Sequence, residues 1–303
     1  MKMTRIAAAA TAASLGLFLA ACGGDPAASG GDKSASDTIT VGSAAFPENE
    51  IIAEIYAQGL EAKGVKVKKK LNIGAREVYI PALESGEIDL LPEYTGNLLQ
   101  FVDKTATATS SQDIHAALSD ALPDKLKTLD VSRAEDKDSL NVTSEFASKN
   151  NLTSIADLKG VSGLKLGANP EFRTRPYGIP GLEKIYGVTG VKFTAISDGG
   201  GPKTLKALLD GDIDVADIYS TTPSITENKL VTLTDPSNMI AAQNVVPLIR
   251  DSKATDTVQK ALDAISAQLT TQDLLDLNGK NQGADKTAPA TLAKQWLTDK
   301  GLI

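Results

Sequence analysis

Apolar positions along this chain follow two alternating rhythms. Short β-branched runs predict strands, and stretches with apolar residues three and four apart predict helices. Residues 38–42 read as a strand. Pro47 then opens a helix whose Ile51, Ile52, Ile55, Tyr56 and Leu60 share a face, and Gly64 stops it. Strand 65–71, helix 77–85 and strand 88–91 follow, then a helix from 96 to 101 and another over 112–122 with Ile114, Leu118 and Leu122 on one face. Residues 138–142 read as a strand and a crossover. The plan then recurs: strand 165–168, helix 181–186, strand 191–195, helix 204–209 and strand 213–218. Residues 231–233 and 245–249 read as strands. The tail reads as helices over 256–269, 271–278 and 290–300, with Trp296 in a core. Strands alternating with helices predict an α/β fold built on mainly parallel sheets.

The recurrence extends to individual letters. ALESGEIDLLPEYTGN at residues 82–97 is written again as ALLDGDIDVADIYSTT at 207–222. Ala82, Leu83, Gly86, Ile88, Asp89 and Tyr94 fall on Ala207, Leu208, Gly211, Ile213, Asp214 and Tyr219, at one offset of 125 residues that also sets Val41-Gly42 against Leu166-Gly167. Each copy reads as a helix end, a left-handed glycine, and a buried strand ending in tyrosine. Ligands of open α/β sheets collect beyond the carboxyl ends of the strands. Tyr94 and Tyr219 are therefore expected to face one cleft from opposite lobes, the hydroxyls of both reaching the same space.

The first residues carry a different message. Lys2 and Arg5 precede an apolar stretch, residues 6–20, too short for a comfortable membrane span. Leu19-Ala20-Ala21-Cys22 closes it in a way that resembles the lipobox of bacterial lipoproteins, which implies cleavage before Cys22 and lipid on its thiol; an ordinary secretory signal with a stray cysteine is the alternative. Residues 1–21 are then a signal peptide and 22–37, rich in Gly, Ser and Ala, a flexible tether with a reach of roughly 20 Å. Cys22 is the only cysteine, so no disulfide framework is available. A formal charge of −7, or −9 once Lys2 and Arg5 are removed, argues against nucleic-acid binding, and the densest basic run, Lys66 to Lys70, reads as a solvated strand face.

Four segments carry a specific likeness: GSAAFPENEIIAEIYAQ, GAREVYIPALESGEIDLLPEYTGN, PEFRTRPYGIPGLEKIYG and DGDIDVADIYSTT. Together the chain from about Thr38 to Ile303 resembles the osmoprotectant-binding components of ABC importers, the ProX/OpuBC-like substrate-binding proteins for glycine betaine, choline and related quaternary ammonium compounds. The resemblance implies a two-lobed type II periplasmic-binding-protein fold, each lobe a mainly parallel sheet flanked by helices, joined by two crossovers. Residues 38–140 with 245–303 are expected to form one lobe and 141–244 the other. It also implies a monomeric partner of an ABC permease and its ATPase subunits, held outside the cell membrane by its lipid, with no cofactor.

The family's ligand site is an aromatic cage, and the carry-over to this chain is uneven. Tyr94 and Tyr219 sit where cage tyrosines are expected, and Arg175 where a carboxylate-binding arginine is expected. Asn97 replaces a usual threonine; Leu140 and Gln243 stand where two further rings are expected, and Ala44 where a lysine is. The cleft is expected to include Arg76 and Glu77 of the GAREVY segment, Glu77 as partner for a cation or Arg76 for an anionic or polyhydroxy ligand, unless both face solvent at a helix start. With two rings missing, glycine betaine is expected to bind weakly and a larger or more hydroxylated ligand to be preferred. Tyr79 and Tyr177 are the residues to test should betaine bind tightly.

Other chemistries find little footing. The single histidine, His115, beside an apolar helix face, excludes a His/Cys metal cluster, a Cys-His dyad and most Ser-His-Asp arrangements, and reads as solvated. Asp210, Asp212, Asp214 and Asp217 lack the EF-hand spacing. Gly199-Gly200-Gly201 is followed by Pro202 rather than by a phosphate-loop lysine, and reads instead as cleft-lining backbone at a helix start. No carboxylate pair has a glycosidase context, so an enzyme is not expected. A surface lipoprotein that reuses this fold for adhesion or sensing is the competing class.

Overall fold

A computed structural model describes residues 38–303; the signal-peptide, tether and Cys22 readings lie outside the described residues. The first half runs β1 (Thr38–Gly42), α1 (Pro47–Ala62), β2 (Lys66–Lys70), α2 (Arg76–Ser85), β3 (Leu90–Tyr94), α3 (Thr95–Val102), α4 (Ser111–Ala121) and β4 (Leu126–Thr128). The second runs β5 (Leu140–Val142), α5 (Ser144–Asn150), β6 (Lys165–Ala168), α6 (Ile179–Tyr186), β7 (Lys192–Ala195), α7 (Pro202–Leu209), β8 (Val215–Asp217), α8 (Ser224–Glu227) and β9 (Val231–Thr232). β10 (Val245–Arg250), α9 (Asp256–Gln268), α10 (Thr271–Gln282) and α11 (Pro289–Asp299) complete it.

Among the described residues these strands form two five-stranded sheets, ordered β2-β1-β3-β10-β4 and β7-β6-β8-β5-β9. The two share one plan. β1 pairs parallel with β2 and β3, as β6 does with β7 and β8. The fourth strand in each order, β10 or β5, is antiparallel and follows directly on a crossing segment. The crossing segments run antiparallel beside each other, bridged at Glu135 and Asn244, with the Asp136 amide donating to the Gln243 carbonyl and the Val245 amide to the Ala134 carbonyl. Leu140 is thus part of the second sheet, paired with Asp217, so the first crossover ends before it rather than after it.

The letter repeat is a structural repeat because its residues do the same work twice. Asp89 accepts from the Thr40 amide at 2.9 Å and donates its own amide to the Thr40 carbonyl at 2.8 Å. Asp214 does the same to Lys165 at the same two distances. Each aspartate therefore locks the entry of one strand against the neighbouring parallel strand. That is why β3 and β8 begin two residues later than the apolar runs suggest. Gly42 and Gly167 also match: a Cβ would come within 2.8 Å of Ile88 and 2.5 Å of Ile213, so the isoleucine fills the space the glycine leaves.

Core packing follows the helical faces. α1 lies against β1 and β3 and carries the C-terminal helices α9 and α11, burying Ile51, Ile52, Ile55, Tyr56 and Leu60 with Leu262, Ile265, Trp296 and Leu297. A separate cluster of Leu140, Val142, Leu158, Leu166, Leu182 and Val215 fills the second sheet's side. Fully burying such a side chain stabilises by about 1.5–3 kcal/mol, so each sheet carries its own core. No described helix is long and apolar enough to cross a membrane. The short elements β4 and α5 have too few apolar positions for either rhythm, and periodicity does not announce them.

Candidate ligand-binding site

The carboxyl ends of β1, β3, β6 and β8 point at one cavity of about 260 Å³, and the loops after them supply its walls. Its lining repeats at the same offset of 125 residues: Ala44 with Asn169, Gly74 with Gly199, and Tyr94 with Tyr219. Gly199 and Gly200 both have positive φ, and at Gly200 a Cβ would lie 2.7 Å from the Ile218 backbone. Only glycine lets that loop lie so close to the end of β8.

Four tyrosines line the cavity: Tyr79, Tyr94, Tyr177 and Tyr219, together with Phe46 and Phe172. Phe46 joins the walls, its ring centre 5.9 Å from Tyr94 and 5.3 Å from Tyr219, the latter edge to face. Phe172 meets Tyr177 edge to face at 6.2 Å. The hydroxyls are held from behind. Tyr94 donates to Glu48 at 2.8 Å, Tyr79 donates to Glu93 at 2.8 Å, and Asn169 donates to the Tyr219 oxygen at 3.0 Å. Burial pushes all four phenols above the ordinary tyrosine range, so each ring stays neutral with its electron-rich face available.

Charge in the wall is arranged asymmetrically. Arg76 is buried and gives Glu93 a two-pronged ion pair, Nε to Oε1 at 2.7 Å and an Nη to Oε2 at 2.8 Å. Burial works against its charge, but Glu93 outweighs that and holds the guanidinium firmly protonated. Arg175 is paired with Glu77 at 2.8 Å and lies 5.5 Å over the Phe101 ring. Against these stand Asp136, Asp138 and Asp217, all buried in the lining. Burial raises all three above the ordinary carboxylate value; Asp138 raises Asp217 further, and Glu48 does the same to Asp136.

Of the residues singled out from sequence, Tyr94, Asn97, Arg175, Tyr219 and Arg76 line the cavity. Glu77 does not; it reaches the site only through Arg175. Leu140 is fully buried in the second core, so the expected site position is corrected. The residue two places earlier, Asp138, is the one that lines the cavity, roughly 7 Å back along the strand direction. Gln243 is likewise off the cavity, and its carboxamide clamps Asn97: Oε1 accepts from the Asn97 amide at 2.9 Å, and Nε2 donates to Asn97 Oδ1 at 2.6 Å. Asn97 in turn donates to Asp138 at 3.0 Å. The half-buried His115 belongs to α4, away from this cavity. Phe46, Phe172, Asp136 and Asp138 escaped sequence reading; for Phe46 the signal was its place just before Pro47, at the start of a helix that faces the cleft.

The model of the substrate-binding domain of ABC-type glycine betaine transport systems matches residues 37–299. The glycine betaine-binding protein YehZ of Escherichia coli (strain K12) is 31% identical over 283 residues, covering 88% of this chain and 92% of that protein. A solved structure of YehZ from Escherichia coli without ligand superposes with a TM-score of 0.61 at 26% identity, covering 88% of this chain and 99% of that one. A structure described as a glycine betaine/carnitine/choline ABC transporter gives a TM-score of 0.69 at 20% identity, over 87% of this chain and 99% of that one, and speaks to the fold alone. The chain belongs to the family of substrate-binding domains of ABC-type glycine betaine transport systems. Members of that family are extracytoplasmic binding proteins that work with ABC permease components, and they are not enzymes.

Proposed function

We propose that this family member captures a quaternary ammonium osmoprotectant, of the glycine betaine and choline type, in the cavity between its two sheets and delivers it to an ABC permease. The observation that carries the reading is four neutral tyrosine rings gathered around buried aspartates. A quaternary ammonium ion has no N–H to donate, so hydrogen-bonding walls do little for it. Aromatic faces and nearby negative charge attract it, each ring by about 0.5–2 kcal/mol. Tyr79 and Tyr177 supply the rings that Leu140 and Gln243 do not, and the betaine family of the relatives supports a cation over a polyhydroxy ligand.

Lobe division and anchoring form the rest of the proposal. One lobe is built on the first sheet with α9 to α11, the other on the second sheet, and the bridged crossing segments serve as the hinge. Cys22 carries the lipid that holds a monomeric head at the outer membrane face, with residues 23–37 as its tether. Titration calorimetry with glycine betaine, choline and carnitine tests the functional reading. Saturable one-to-one binding of at least one is expected. Heat from none of them, with binding of a sugar instead, would overturn it.

A further inference from the structure

We infer that Glu77 is a specificity-determining residue: its carboxylate holds Arg175, so the cleft prefers a quaternary ammonium cation without a carboxylate to a zwitterion that carries one. The inference rests on the functional reading above and names the substrate class within it.

Both arginines of the cavity wall have a protein carboxylate. Glu93 takes Arg76 with both oxygens, and Glu77 holds Arg175, its two oxygens 2.8 and 3.0 Å from one Nη. Neither glutamate lines the cavity itself. Glu77 opens α2, beside the first sheet, whereas Arg175 belongs to the loop that follows β6, so their pair spans the cleft. A ligand carboxylate that turns to Arg175 must share its guanidinium with Glu77 or displace it. It meets a charge already balanced by one carboxylate, gains little new ion pairing, and still gives up its own hydration.

The negative groups are in the opposite position. Asp138 and Asp217 form no salt bridge among the described residues; Asp138 takes the Asn97 amide, and Asp217 Oδ1 is buried with no partner. Buried carboxylates without a cation are unfavourable, and a ligand cation between the rings relieves that. The wall thus has carboxyl groups that form no salt bridge and that a bound cation would ionise, and no arginine without a carboxylate partner. A monocation ending in a hydroxyl, such as choline, satisfies both conditions. Glycine betaine satisfies only the first.

An alternative is that Glu77, with its side chain half exposed, forms an ordinary surface ion pair of small consequence. Removing it would then change the affinity for both ligands alike. Calorimetry on the intact protein with choline and with glycine betaine separates these readings. For the wild type, Kd for betaine is expected to exceed Kd for choline at least tenfold. In Glu77→Gln, which keeps size and sits on an exposed helix start, that ratio is expected to fall at least fivefold as Arg175 becomes available. Asp217→Asn is expected to weaken choline at least tenfold. A wild-type preference for betaine, or a ratio unmoved by Glu77→Gln, overturns the inference while leaving quaternary ammonium binding intact. Failure of both ligands to bind the wild type overturns the functional reading and this inference with it.

Discussion

Phe46 meets Tyr219 edge to face, with ring centres 5.3 Å apart. Phe46 belongs to the loop after β1 of one sheet, and Tyr219 follows β8 of the other. The two sheets therefore meet partly through aromatic rings that line the cavity.

Tyr219→Ala is expected to weaken binding of the preferred quaternary ammonium ligand by about five- to thirtyfold, since a stacked, desolvated ring contributes about 1–2 kcal/mol. Ligand-induced thermal stabilisation should shrink in step, because it follows ligand concentration over Kd. Unchanged affinity in a folded variant would place the ligand elsewhere.

The Arg76–Glu93 pair supports the site from behind. Glu93 is fully buried and also accepts from Tyr79 and from the Tyr94 amide. Glu93→Gln leaves Arg76 without its counter-charge, and breaking such a buried pair costs about 3–5 kcal/mol. Denaturant unfolding of Glu93→Gln should show a loss of that order, with the midpoint falling and the slope kept. A loss under about 1 kcal/mol would mean that water reaches the guanidinium.

The buried aspartates make both stability and binding pH-dependent. Burial raises Asp136, Asp138 and Asp217, so the folded protein holds protons that the unfolded chain has released. Their contribution is fully present below the unfolded carboxylate value near pH 4 and is lost as the pH rises through the raised folded values. A cation in the cavity favours the ionised aspartates, so its binding should release protons and strengthen as pH rises. Calorimetry in two buffers of different ionisation enthalpy measures that release directly. Proton uptake on binding would reverse the sign of this account.

Cys22→Ser is expected to shift the protein from the membrane to the soluble fraction without changing its melting temperature. A serine variant that stays with the membrane would contradict lipid anchoring at that residue.

Much of this architecture can be read in the letters, for identifiable reasons. The 125-residue repeat places Asp89 and Asp214 at strand entries, each bonded to a partner 49 residues earlier in its own half, and Tyr94 and Tyr219 at strand ends, so the duplication itself marks both duties. What escapes is whatever depends on crossing the cleft. Asp138 and Leu140 stand two residues apart where the crossing segment enters β5, and only the position of the second sheet decides which meets the cavity and which the core. Tyr79 and Tyr177 reach the cage from helix starts far apart in the chain, so the apparent loss of two rings is a change in where the rings come from. The pairing of Glu77 with Arg175 likewise joins residues of two different loops, and no local pattern marks it.

If the tyrosines of both halves hold a quaternary ammonium head, a crystal structure of the protein with choline bound will show it. The ammonium nitrogen is expected within about 6 Å of the ring centres of Tyr94, Tyr219 and at least one of Tyr79 and Tyr177. Choline bound outside this cavity, or with its ammonium head turned away from those rings toward solvent, would contradict it.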